Sequence, residues 1–170
     1  MLALLLLASG ILMRLIPHAP NFTPVAAISL FGGVYLNRKH AILLPLSLMI
    51  ISDIFIGLHD TVLFTWGSFV LIAVIGLWVR HHKSFGTILA SNLISAVLFF
   101  VITNFGSWLS NLHMYPHTFQ GLVSCYTLAI PFFRNTLLSC LVYSAVLFGL
   151  YEFVAARVKE TRFARVLLTI

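Results

Sequence analysis

Residues 14–33 read RLIPHAPNFTPVAAISLFGG. This stretch separates two strongly apolar segments with three prolines, a histidine, an asparagine and a closing pair of glycines. In an apolar chain, a polar, helix-breaking run needs either water or a buried partner for its backbone. The stretch is therefore read as the wall or lid of a solute site, with the rest of the chain built around it.

The surrounding chain is membrane-like in composition. Of its 170 residues 61% are hydrophobic and 8% charged, with mean hydropathy +1.06, against roughly a quarter charged in soluble domains. At about 20 residues per spanning helix, the length allows six spans and no soluble domain. The expectation is a single all-α transmembrane domain, 1–170, with segments at about 2–16, 24–36, 41–58, 62–79, 84–109 and 130–156.

The first run, MLALLLLASGILM, has the apolar core and small residues (Ala8-Ser9-Gly10) of a signal peptide, but no basic residue precedes it. It is read as a first span. Arg14 near its end can snorkel to the interface. The second segment, with Gly32-Gly33 inside it, is short enough to be tilted, broken or re-entrant. A turn is expected at the glycine pair. The third contains Pro45 and Asp53, and an acid inside a span is costly. The fifth offers Gly86, Ala90, Ser91 and Ser95 for close helix contact. A polar outer loop over 110–129 then precedes a sixth segment that begins with Pro131 and carries Arg134 and Asn135 near its start.

The formal charge is +6, yet this does not point to nucleic acid. The basic residues gather at Arg38-Lys39, Arg80 to Lys83 and Arg157 to Arg165, all on one side if six spans alternate. The loops around 17–23, 58–61 and 110–129 contain no Lys or Arg. By the positive-inside rule both termini face the cytoplasm, in a multi-pass membrane protein. The basic C-terminal tail, with Val158, Phe163, Val166 and Leu167 among its charges, reads as a helix resting on anionic headgroups.

Polar groups concentrate at the other end of the bundle. Arg14, His18 and Asn21 flank the first outer loop, Asp53 and His59 the second, and Asn104, Trp108, Tyr126, Arg134 and Asn135 the third. Such grouping describes an outward-facing cup that binds a small solute. Asp53 is expected to pair with Arg14 or Arg134, or to contact the solute directly. The two guanidinium groups suit an anionic or carbonyl-rich solute. Metal ligation is not expected: only His113 and His117 have i, i+4 spacing, and Pro116 lies between them. Cys125 and Cys140 have no metal-knuckle or redox spacing. No hydrolase, metalloprotease or phosphate-loop motif is present.

Residues 22–58, FTPVAAISLFGGVYLNRKHAILLPLSLMIISDIFIGL, resemble the substrate-binding subunits, or S components, of energy-coupling factor vitamin transporters. Together with TNFGSWL, MYP, CY and IPFFRNTL, the chain looks like an uncharacterised bacterial membrane family assigned to transport. The resemblance implies a six-helix bundle and a pocket, open to the outside, that takes a vitamin or related micronutrient without a cofactor. It also implies toppling of the bundle on an energy-coupling module of a transmembrane subunit and ATPases. The first helix departs from the alanine spacing expected for docking, with Ala3, Ala8, Ser9 and Gly10 elsewhere. Action on such a module and solitary action both stay open. So does an intramembrane enzyme acting on a lipid or isoprenoid, or a structural subunit.

Overall fold

The computed structural model describes residues 2–110 and 114–159. The basic tail beyond 159, and the polar residues Asn111 and His113, lie outside the described residues. The described residues fold as six helices: α1 (Leu2–Leu15), α2 (Val25–Tyr35), α3 (Arg38–Ile56), α4 (Val62–Val79), α5 (Phe85–Ser110) and α6 (Phe119–Val158). Four of them, α3 to α6, are long and apolar enough to cross a membrane, and α1 and α2 are shorter apolar helices.

The shortest helix is the centre. Every residue of α2 from Val25 to Val34 is buried, and α1, α3, α4, α5 and α6 all pack around it. Its apolar residues point in every direction, as expected for a helix that meets protein on all sides. At 1.5 Å per residue it is about 16 Å long. That is roughly half the apolar thickness of a bilayer.

Glycine permits a close helix approach, between α2 and α4. A Cβ added at Gly33 would lie 2.3 Å from Ala73 O and 2.6 Å from Gly76 Cα, and one added at Gly76 would lie 2.3 Å from Leu30 O. The glycine pair was expected to turn the chain. Instead α2 runs through Gly32 and Gly33 to Tyr35, and among the described residues only Asn21 and Gly57 have positive φ. Gly33 is there for proximity to α4.

Arg80, just past α4, closes the carboxyl end of α2. Its Nε donates to Val34 O at 3.1 Å, and its Nη2 donates to Gly33 O at 2.7 Å and to Leu36 O. Carbonyls without intrahelical donors thereby gain a charged one. Beside it, Lys83 pairs with Glu152 at 2.6 Å, and Tyr35 donates to the same carboxylate. The ends of α2, α4 and α6 thus meet at one basic end of the bundle.

The sixth segment departs most from expectation. It begins not at residue 130 but at Phe119, where Thr118 caps the helix by accepting from Gly121 N at 3.1 Å. Pro131 is internal to this 40-residue helix, and Arg134 lies well within it rather than near a helix start. Polarity in residues 119–129 suggested a loop, but these side chains find helical or interhelical acceptors. Tyr126 donates to Val101 O at 2.7 Å and Cys125 to Asn104 O at 3.4 Å, both on α5. Between the same two helices, Ser144 donates to Asn92 Oδ1 at 2.6 Å.

Gly76→Val is expected to destabilise the fold by about 2–3 kcal/mol or more, since the backbone it meets cannot move aside cheaply. Gly67→Ala, whose Cβ would meet nothing within 4 Å, should stay within about 1 kcal/mol of the parent. Thermal unfolding of the purified variants in detergent checks both.

Candidate functional site

Because α2 is half-length, the space beyond its amino end is not filled by helix. A cavity of about 690 Å³ occupies it. Its floor includes Val25 and Ala26 of α2, Met49 of α3 and Phe69 of α4, all buried. Leu15 at the end of α1 and Ile16, Pro17, His18, Asn21 and Thr23 of the α1–α2 loop form its rim, with Ile56 and His59 opposite. Most of these rim residues are exposed, so the cavity opens at the end away from the basic cluster.

Arg14 is the fixed charge in this wall. Its Nη2 lies 2.8 Å from Asp53 Oδ1, an ion-pair contact with the carboxylate fully buried but outside in-line hydrogen-bond geometry. Nη1 donates to Ser52 Oγ at 2.6 Å and Met49 Sδ at 2.9 Å. Ser52 accepts because its own proton goes to Leu48 O at 2.7 Å. The other oxygen of Asp53 accepts from Trp66 Nε1 at 2.8 Å. The carboxylate is therefore partnered on both oxygens, which its complete burial requires.

The facing wall is made of hydroxyls. Thr65 donates to Thr61 O at 3.0 Å, Thr103 to Phe99 O at 2.7 Å, and Thr136 to Phe132 O at 3.0 Å. Ser139 donates to Thr136 O at 2.9 Å. Each threonine proton is spent on its own backbone, so toward the cavity these groups present lone pairs, whereas Ser139 Oγ also lies 3.4 Å from Asn21 O in the α1–α2 loop. Asn104 gives one N–H to Phe100 O at 2.7 Å and keeps its carbonyl as an acceptor. Phe69 and Phe99, with ring centroids 5.0 Å apart, provide apolar surface between the polar walls.

The structure thus gathers Arg14, His18, Asn21, His59 and Asn104 around one cavity, with Asp53 directly behind Arg14. Besides Asp53, four expected residues lie outside this lining. Asn135 donates to Pro20 O at 2.9 Å and ties the loop to α6. Tyr126 bonds to α5. Trp108 donates to Pro116 O at 3.0 Å, and His117 Nε2 lies 3.1 Å from Trp108 O and from Leu109 O, so both close the α5–α6 turn. Arg134 is exposed. The sequence reading passed over the threonines and Ser139. Their signal was spacing: Thr61 and Thr65 at i, i+4, and Thr136 and Ser139 at i, i+3, each pair on one helix face. Among the described residues no cluster of three or more His, Cys, Asp or Glu could hold a metal.

Arg14→Gln is expected to cost about 3 kcal/mol or more by leaving a buried carboxylate unpaired. Arg14→Gln with Asp53→Asn should cost less than the sum of the single changes. A double-mutant cycle in thermal or chemical unfolding measures the coupling.

Residues 1–163 match the model of a family described as a family of unknown function, DUF6580. No curated protein and no solved structure matches the chain.

Proposed function

The chain belongs to the DUF6580 family, which brings no assigned activity, and on the cavity's geometry we propose that it is a membrane transport protein that captures a small solute. The observation that carries this reading is the 690 Å³ cavity above the buried half-length helix. Its volume lies in the ordinary range for small-molecule sites. Its lining mixes a fixed cation, hydroxyl acceptors and aromatic surface, as solute sites do.

The proposed setting is a bacterial cytoplasmic membrane, with the basic end inside and the cavity facing out. The half-length helix, the loop over the cavity and the acid near the end of α3 support a likeness to S components, and with it a vitamin or related micronutrient as solute. Capture would be followed by closure of the α1–α2 loop and inward release by rearrangement of the bundle. Energy would come from a coupling module of a transmembrane subunit and ATPases, or the protein would act alone. Transport is preferred to intramembrane acid–base chemistry because the Asp53 carboxylate is engaged by Arg14 and Trp66 rather than by a histidine. An open cavity likewise favours solute binding over a purely structural role.

Two measurements test the proposal. With a panel of vitamins at about 100 times Kd, a true ligand should raise the melting temperature by about 5 °C or more. No binder, together with undiminished uptake in a deletion strain, would sink the reading. For orientation, a cysteine placed at exposed His18 should react with an impermeant thiol reagent on intact cells, and one at Lys83 only after permeabilisation. The reverse pattern would invert the proposed topology.

A further inference from the structure

We propose that the solute carries an anionic group, a carboxylate or a phosphate monoester, and that Arg14 receives it. This rests on reading the cavity as a solute site and deepens it to a chemical class. The ionisable side chains lining the cavity are Arg14, His18 and His59, and among the described residues no lining side chain is a carboxylate. The neighbouring acids are Asp53, fully buried behind Arg14, and exposed Asp60, outside the lining.

The donor count of Arg14 shows what it can still do. A guanidinium has five N–H groups. Nη1 uses two on Met49 and Ser52, and Nη2 faces Asp53. Among the described residues, Nε and one N–H of Nη2 have no acceptor. A planar fork with two unfilled donors matches a carboxylate or phosphate in a bidentate pair. Asp53 does not compete for that position. Held below the cavity surface by Trp66, it is a positioning residue that fixes the guanidinium in place.

His18, on the loop that follows Arg14, strengthens the same end. His18 Nδ1 lies 2.7 Å from Ile16 O. A carbonyl can only accept, so that nitrogen carries the proton and Nε2 remains for a solute. The opposite wall disfavours the alternative placement. Thr103 and Thr136 have spent their protons and present lone pairs, which repel an anion and welcome N–H or O–H donors. The solute is oriented by these two walls, acid toward Arg14 and donors toward α5 and α6.

The test uses matched probes on the purified full chain: 4-hydroxybenzoate, its neutral isostere 4-hydroxybenzamide, and phenyl phosphate, each titrated by calorimetry up to millimolar concentration. The acid or the phosphate should bind at least about tenfold more tightly than the amide. That preference should vanish in Arg14→Gln with Asp53→Asn, which removes both charges together. If that pair fails to fold, Arg14→Lys keeps the ion pair but not the fork, and about a tenfold loss of acid affinity is expected. Unchanged acid affinity in either variant overturns Arg14 as the receptor. An amide that binds as well as the acid overturns the anion and leaves the solute site standing. Silence from all three probes removes the anion proposal, whereas the vitamin panel decides the solute site by itself. Nanodiscs containing phosphatidic acid supply the lipid arm. If they displace the soluble acid from the parent but not from the Arg14 variants, the receptor is upheld and a lipid headgroup replaces the soluble solute.

Discussion

The length of α2 is the constraint on which the rest depends. A helix buried on all sides must satisfy its backbone at both ends without lipid or bulk water to help. At the carboxyl end Arg80 does this with donors to three carbonyls. At the amino end Pro24 provides no side-chain cap, and the first helical bond runs from Ile28 N to Pro24 O at 2.8 Å. The first-turn N–H groups begin where the cavity begins. One end of the central helix is sealed by protein and the other borders open volume, and this difference gives the bundle a direction.

The Arg14–Asp53 pair converts that open volume into a shaped site. A buried pair adds little net stability once desolvation is counted, but losing either partner is expensive. Its value here is geometric. Arg14 ends α1, Asp53 lies in the last turns of α3, and Trp66 belongs to α4, so one carboxylate ties three helices at the cavity's edge. Glycine does the corresponding work at the basic end, where Gly33 and Gly76 let α2 and α4 touch through their backbones.

Helix number and most boundaries were legible because hydrophobic run length is a direct record of burial and membrane depth. The segments expected at 62–79 and 84–109 became α4 and α5 with at most one residue of change. That Asp53 would be paired followed from the cost of an unpaired charge, but the choice of Arg14 over Arg134 did not. Two features misled. Polar residues before Pro131 looked like loop because Tyr126 and Cys125 satisfy themselves on α5, a partner invisible along the chain. Gly32-Gly33 looked like a turn because glycine serves both bending and close approach, and only the position of α4 distinguishes them. The cavity's hydroxyl wall was hard to see for a related reason: threonine and serine in apolar helices usually bond to their own backbone, and these do so as well.

The α1–α2 loop is held to the bundle at both of its ends. Asn135 holds Pro20 O, Ser139 reaches Asn21 O at 3.4 Å, and Phe22 packs on Tyr143 with ring centroids 5.5 Å apart. All three anchors are on α6, whereas Arg14 ties the loop's other end to α3. Between them Pro17 and Pro20 fix two φ angles, and Asn21 takes the left-handed conformation at φ 60°. A segment so restricted moves as a flap between its anchors more readily than it deforms. Any motion that admits a solute must therefore work on the α6 contacts or on the Arg14 pair. The second of these lies in the wall that the solute itself would touch, so under the proposed function occupancy and loop position would be mechanically linked through one guanidinium.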